Sequence, residues 1–394
     1  MSAAESPIML MVLARTNGLK DGGIFSIAFA VAALLLFLGQ YGFRRFQSSD
    51  VLEKYSFEEY YGSRFLSCGA MLIATLGYCV YGMMFRHYSA TKFAVVFLMC
   101  ALKGIQAFSD VLHGRMQQMG RLDVATKASC IRYIMEMLSF CVVRIVTHDL
   151  LLSCIVCVAV SFFVFMLTSY NAAKDFCSLK PSFKWDRMKL MFIEGFPLFV
   201  SLFLNMYISN APKYAIDAYL TEEMQALYNM VFMPAFVIQL VAHFIFNPII
   251  TTYAEVWQAQ DIKKFRKLVF KQMGIILGLE ILAIAVALTI AIPILSWFFG
   301  TDLAGYKMEL LVVVVGGGML AYTVFFNTVI TIIRLHKTLF YSYVATAIAA
   351  LLLSKYFVVN FGIMGAVVLY GTLMTILAAI LGIITFWGIK HVNK

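Results

Sequence analysis

The sequence predicts an all-α integral membrane protein of about twelve transmembrane helices, arranged as two six-helix halves. Three observations carry that reading. Of the 394 residues, 62% are hydrophobic and only 13% charged, far below the charged share of about 25% in soluble domains, and mean hydropathy is +0.86. The apolar residues come in long unbroken runs rather than the alternating segments of a transmembrane barrel. Helices are then the remaining arrangement in which the backbone satisfies its own hydrogen bonds in lipid. The stretches between runs are short and leave no room for an extramembrane domain.

A helix needs about 20 apolar residues to span a hydrocarbon core of ~30 Å. Eleven runs qualify: 23–43, 62–85, 93–113, 127–146, 149–170, 190–211, 224–246, 269–295, 308–333, 338–358 and 362–388. A twelfth comes first. Ser2 to Ala14 is apolar but only about half a span, and it carries Glu5 and Pro7; it is read as a short or truncated first helix. The longest connections are 44–61, 171–189 and 247–268. The basic stretch 171–189 falls near the middle and divides the chain into an N-terminal bundle (1–170), a cytoplasmic linker (171–189) and a C-terminal bundle (190–394).

Charge placement sets the expected orientation. With twelve spans and a cytoplasmic N-terminus, nineteen of the 31 Lys and Arg residues fall on the cytoplasmic side and eight on the other. That bias places both termini in the cytoplasm of a cell membrane. It also explains the net charge of +10 without nucleic acid, for which no basic aromatic face or zinc-finger spacing is present. Trp297 and Trp387 fall at helix ends, where indoles favour the interface.

The halves resemble each other at an offset near 200 residues. Arg15-Thr-Asn-Gly ends the first run and Ala211-Pro-Lys213-Tyr ends the seventh. Polar stretches follow the second run (Phe46 to Arg64) and the eighth (Ile250 to Arg266). Phe108-Ser-Asp110 to Arg121 has a counterpart in Phe326-Asn327 to Lys337. Six intervening spans give the halves one orientation, so an axis along the membrane normal should relate them.

Enzyme and cofactor motifs are missing. The nearest approach to a phosphate-binding loop, Gly300 to Lys307, lacks the required spacing, and no GxSxG, HExxH or paired-carboxylate motif is present. No cofactor is implied. The eight cysteines all lie between Cys68 and Cys177; the Cys154/Cys157 pair sits in a continuous apolar run without redox context, and reads as packing.

What remains are ionisable groups at membrane depth, where a charge faces a cavity or a partner. Arg132 and Glu136 are four apart on one helix face, either an internal ion pair or a working one. Lys103 has no local partner. Glu194 lies near the cytoplasmic edge and reads as solvated. Glu280 lies mid-span, either a proton or cation site or a packing acid. Arg44 and Arg45 close the second span, as interface residues or as groups meeting a phosphate, for which the guanidinium fork is suited. Arg15 and Lys213 are a matching basic pair on the outer side. Pro197, Pro234 and Pro293 are candidate bending points. Gly316 to Gly318, and Gly274 with Gly278, permit close helix approach.

Several stretches carry a resemblance to a known family: Arg15-Thr-Asn-Gly with Gly23-Ile-Phe-Ser-Ile-Ala-Phe, Phe46 to Phe65, Asn210-Ala-Pro-Lys-Tyr-Ala-Ile-Asp217, Tyr228 to Pro234, and Phe246-Asn-Pro-Ile-Ile-Thr with Glu255-Val-Trp. They resemble the polysaccharide-lipid flippases of the multidrug/oligosaccharidyl-lipid/polysaccharide exporter superfamily. The resemblance implies a V-shaped pair of bundles around a cationic central cavity, working by alternating access. It implies a polyprenyl-pyrophosphate-linked oligosaccharide as cargo, for cell-surface polysaccharide. The candidates for holding that headgroup are Arg15, Arg44, Arg45, Lys103, Arg132, Asn210 and Lys213. Glu280 and Glu136 are the candidates for coupling to H+ or Na+. The alternatives are a cation-coupled antiporter of small molecules in the same superfamily, a membrane sugar-polymer polymerase, and a non-transporting remnant.

Overall fold

The computed structural model describes residues 2–49, 54–246 and 249–391, and all regular structure among them is helical. The helices are α1 (Ser2–Asn17), α2 (Leu19–Gln40), α3 (Phe43–Ser49), α4 (Phe57–Phe85), α5 (Ala90–Gln118), α6 (Leu122–Thr147) and α7 (Leu150–Ala173). There follow α8 (Trp185–Tyr219), α9 (Glu222–Phe246), α10 (Ile250–Gln258), α11 (Ile262–Phe299) and α12 (Lys307–Ile332). The last stretch, His336–His391, is two helices, α13 (336–361) and α14 (363–391), joined at Gly362 in a left-handed conformation. The chain turns back sharply there, because a Cβ on Gly365 would meet the carbonyl of Phe357, eight residues earlier.

Polar residues between the apolar runs set many of the boundaries. Ser56 and Glu59 close a reciprocal capping box at the start of α4, and Ser89, Asp149 and Asp261 each accept a backbone N–H at the start of α5, α7 and α11. Gly300, left-handed, ends α11. Among the described residues, nine helices are long and apolar enough to cross a membrane, the last of them being the α13–α14 pair. To these the first two exceptions are added. α1 has only 16 residues, and α6 carries Asp123, Lys127, Arg132, Glu136 and Arg144. That makes the twelve expected spans: α1, α2 and α4 to α7, then α8, α9 and α11 to α14. The short helices α3 and α10 follow the second and the eighth span, at matching places in the two halves.

By compactness the chain forms two units, Met1–Met206 and Tyr207–Lys394. The division falls inside α8, past the basic stretch 171–189. The physical reason is that the stretch and the start of α8 are tied to the first unit. Ser182 N–H donates to the Glu58 carbonyl, Arg187 pairs with Glu59 at 2.5 Å, and Tyr41 stacks on Phe199 with ring centroids 4.5 Å apart.

Two helix-packing expectations resolve differently. Gly316 seats Tyr370 and Gly371, Gly317 seats Ala235, and Gly318 seats the Glu280 side chain, so α12 meets three neighbours through one glycine run. Gly274 and Gly278 have nothing within 4 Å of a Cβ position and bring no helix close. A π turn interrupts α7 at Met166–Tyr170 and α11 at Ala287–Ala291, the latter just before Pro293. Each is a local irregularity of the kind that often marks working regions of helices.

Candidate functional site: buried charges in each unit

One cluster deep among the helices of the first unit joins four ionisable groups. Lys103 of α5 does have a partner, Glu5 of α1, at 2.8 Å, and both are buried. Its ammonium also lies 4.4 Å from the centre of the Phe29 ring, a cation–π contact. Arg132 and Glu136 of α6 pair at 2.5 Å, both buried, and Arg132 lies over the Tyr133 ring. Ser161 of α7 donates a hydrogen bond to Glu136. Glu136 also feels the charges of Glu5 and Lys103. The quartet is two acids and two bases, neutral in sum. It leaves Glu5 Oε1, Glu136 Oε2 and Arg132 Nε buried with no hydrogen-bond partner, a cost of about 1–3 kcal/mol for each such group unless a proton or a small ion meets it.

A second cluster lies where α2 and α3 meet α4 and α5. Asp110 of α5 takes Arg44 on one oxygen and Arg64 on the other, each at 3.4 Å. Arg64 is fully buried and also donates to the Gly39 carbonyl at 2.5 Å. Arg44 is partly exposed and reaches Gln117. Two guanidinium groups on one carboxylate leave a surplus positive charge. Arg45 lies in α3 beside Arg44, but its side chain falls outside the described residues.

Arg144, one of the eight Lys and Arg residues that the span count puts on the outer side, is a buried clamp. It donates to Asp21 at 2.6 Å, Thr16 Oγ1 at 3.1 Å and the His148 carbonyl at 2.9 Å, tying α6 to the α1–α2 corner. Glu194 is half-buried rather than simply solvated, bonded to Lys54 at 2.6 Å and to the Tyr55 hydroxyl at 3.0 Å. That hydrogen bond holds the Lys54 ammonium above its usual pKa.

In the second unit the pattern changes. Glu280 of α11 is 8% exposed and has no ion pair or hydrogen bond among the described residues. It lines a cavity of about 510 Å³ with Met233, Pro234, Ile238, Gly318 and Ala321, an otherwise apolar set. Asn210 is buried in α8. Lys213 does not end its helix as expected: α8 runs through Pro212 to Tyr219. Lys213 lies over the Phe232 ring of α9 at 5.1 Å. Arg15, by contrast, is exposed in the last turn of α1. The two therefore sit at different depths of their helices.

The structure thus brings Lys103, Arg132 and Glu136 together, groups Arg44 separately with Asp110, and leaves Glu280 alone in its own unit. Sequence reasoning missed Glu5, Arg64, Asp110 and Ser161 as partners. Glu5 carried a signal, an acid inside the first apolar run. Asp110 carried another, an acid at the end of a span beside two arginine-bearing segments. Among the described residues no cluster of His, Cys, Asp and Glu is arranged to hold a metal.

Known structures share this fold along nearly the whole chain. An inward-facing multidrug resistance MATE family transporter of the MOP superfamily aligns with TM-score 0.74 at 13% identity, over 99% of this chain and 94% of the other. The lipid II flippase MurJ, in an inward closed conformation, aligns with TM-score 0.72 at 10% identity, over 100% and 88%. The Vibrio cholerae MATE transporter VcmN in its bent form aligns with TM-score 0.61 at 12% identity, over 99% and 93%. No curated protein matches by sequence. The architecture is accordingly the multi-pass membrane fold that these proteins share. Within it the chain belongs to the polysaccharide biosynthesis protein family, whose model matches residues 6–254.

Proposed function

We propose that this protein flips a polyprenyl-pyrophosphate-linked oligosaccharide across the cytoplasmic membrane by alternating access, supplying cell-surface polysaccharide synthesis. The observation that carries the reading is the surplus charge at Asp110. Arg44 and Arg64 share one carboxylate, and Arg44 keeps exposed donors suited to a phosphate oxygen. The family description and the likeness to a lipid II flippase support a lipid-linked glycan as cargo. Arg45, Arg15, Asn210 and Lys213 are the further headgroup contacts in this proposal. The two six-span bundles on either side of 171–189 are its moving bodies, with both termini in the cytoplasm. Lys103 and Arg132, already paired with acids, hold the first unit together and reach cargo only if those pairs open.

A second reading rests on Glu280. A lone acid in an apolar cavity is tolerated with a proton or a bound cation, and the MATE transporters among the neighbours in fold make a cation-coupled small-molecule antiporter the competing function. In the flippase reading the same Glu280, with Glu136, couples flipping to H+ or Na+.

Proteoliposomes loaded with a labelled polyprenyl-pyrophosphate oligosaccharide test the choice. The Arg44→Gln/Arg45→Gln double variant should flip at least tenfold more slowly while remaining folded in detergent. Lys103 is kept intact so that Glu5 is not left unpaired. Flipping at the unsubstituted rate would sink the headgroup assignment. No flipping by the unsubstituted chain, with efflux of organic cations instead, would favour the antiporter.

A further inference from the structure

At the start of α11, Lys263, Arg266, Lys267 and Lys271 follow one another at steps of three, one and four residues, which puts them on one face of the helix. Lys390, in the last turn of α14, joins them around a groove of about 1150 Å³. The floor is apolar and aromatic: Phe270 and Phe386 stack with ring centroids 5.4 Å apart, with Ile389 beside them. No acid lines the groove, and none of the five cations has an ion pair among the described residues. Like charges one helical turn apart repel, so this face is unfavourable until an anion occupies it.

Trp387 marks the depth of the groove. It is exposed, stacks on His391 at 5.2 Å, and stands on the same turn of α14 as Phe386. An exposed indole at a helix end belongs at the headgroup level of a bilayer. The orientation set by the basic residues assigns this end to the cytoplasmic leaflet. A bias toward basic loops would be met by lysines anywhere in the loop; it does not call for a concave cluster over stacked rings.

We propose that this groove binds an anionic phospholipid of the surrounding leaflet. Its phosphate lies among Lys263, Arg266, Lys267, Lys271 and Lys390, and the upper part of its acyl chains lies against Phe270 and Phe386. Basic pockets between spans on the cytoplasmic side are suited to such headgroups. The site is confined to the second unit and holds whether the cargo is a glycan lipid or a small cation.

The test uses the full chain in nanodiscs of phosphatidylcholine containing either phosphatidylglycerol or diphosphatidylglycerol, with retained lipid read by native mass spectrometry. The unsubstituted protein should retain anionic lipid at least tenfold over phosphatidylcholine. The Lys263→Gln/Lys267→Gln/Lys271→Gln variant should lose that preference. A second triple variant, Lys180→Gln/Lys184→Gln/Lys189→Gln, removes the same charge from exposed lysines elsewhere and should keep it. Should the first variant fail to fold, Lys390→Gln alone is expected to reduce retention severalfold. Equal loss in both triple variants would reduce the effect to net charge and overturn the proposal, as would unchanged retention after Lys263, Lys267 and Lys271 are replaced. Displacement of the phospholipid by an equimolar polyprenyl pyrophosphate would give the groove to the cargo instead, and would also overturn it.

Discussion

The two units bury their acids in opposite ways. Among the described residues of Met1–Met206 the deep carboxylates have a base beside them: Glu5 with Lys103, Glu136 with Arg132, Asp110 with Arg44 and Arg64. In Tyr207–Lys394, Glu280 sits among apolar side chains with no base beside it among the described residues. A buried pair neutralises itself and is indifferent to what the solution holds. A buried acid without a base depends on a proton or a cation from outside. The comparison assigns structural persistence to the first unit and responsiveness to the second.

The largest expected effect comes from unpairing the first unit. Glu5→Leu leaves Lys103 charged and buried, and should lower stability in detergent by about 3–5 kcal/mol. Adding Lys103→Met replaces both charges by apolar groups and should recover most of that loss. Thermal unfolding of the two variants checks this. A double variant as unstable as the single would mean the pair does more than neutralise itself.

A smaller effect should follow from filling the seat of Glu280. Gly318→Ala puts a methyl group where the carboxyl lies, and the strain of relocating it should cost about 1–3 kcal/mol. If α11 simply shifts and stability holds, the seat is looser than the glycine run suggests.

The smallest effect on stability, and the sharpest on coupling, belongs to Glu280→Gln. No base is orphaned, so the change in stability should stay at or below about 1 kcal/mol, the centre of the range for single substitutions. Transport driven by a proton or Na+ gradient should fall at least tenfold. A stability loss near that of Glu5→Leu would erase the contrast between the units, because it would reveal a partner for Glu280.

Much of this was legible in the sequence, and the limits have physical causes. The spans follow from apolar run length, a local property, so eleven are legible in the chain and the first only as half a span. The Arg132–Glu136 pair was read too, because both members lie one turn apart on α6. Glu5 and Lys103 are 98 residues apart, and no local pattern announces that two distant helices will pack. Arg144 counts among the outer-side charges because it lies near the end of its span, yet its donors are spent on the α1–α2 corner. Lys213 looked terminal because Pro212 precedes it; a proline kinks or weakens a helix without having to end it, and α8 continues to Tyr219. Gly274 and Gly278 have the spacing of a close helix contact, and spacing alone does not say whether that face meets a neighbour or lipid.

Gly362 has a consequence for how the protein is made. The reversal between α13 and α14 is accomplished by one residue, and Tyr356, Val359 and Phe361 beside it are exposed apolar groups. There is almost no hydrophilic segment to carry across the bilayer. During synthesis α13 and α14 should leave the translocation channel together as a preformed hairpin rather than as successive single insertions, so this step of assembly depends on both being complete.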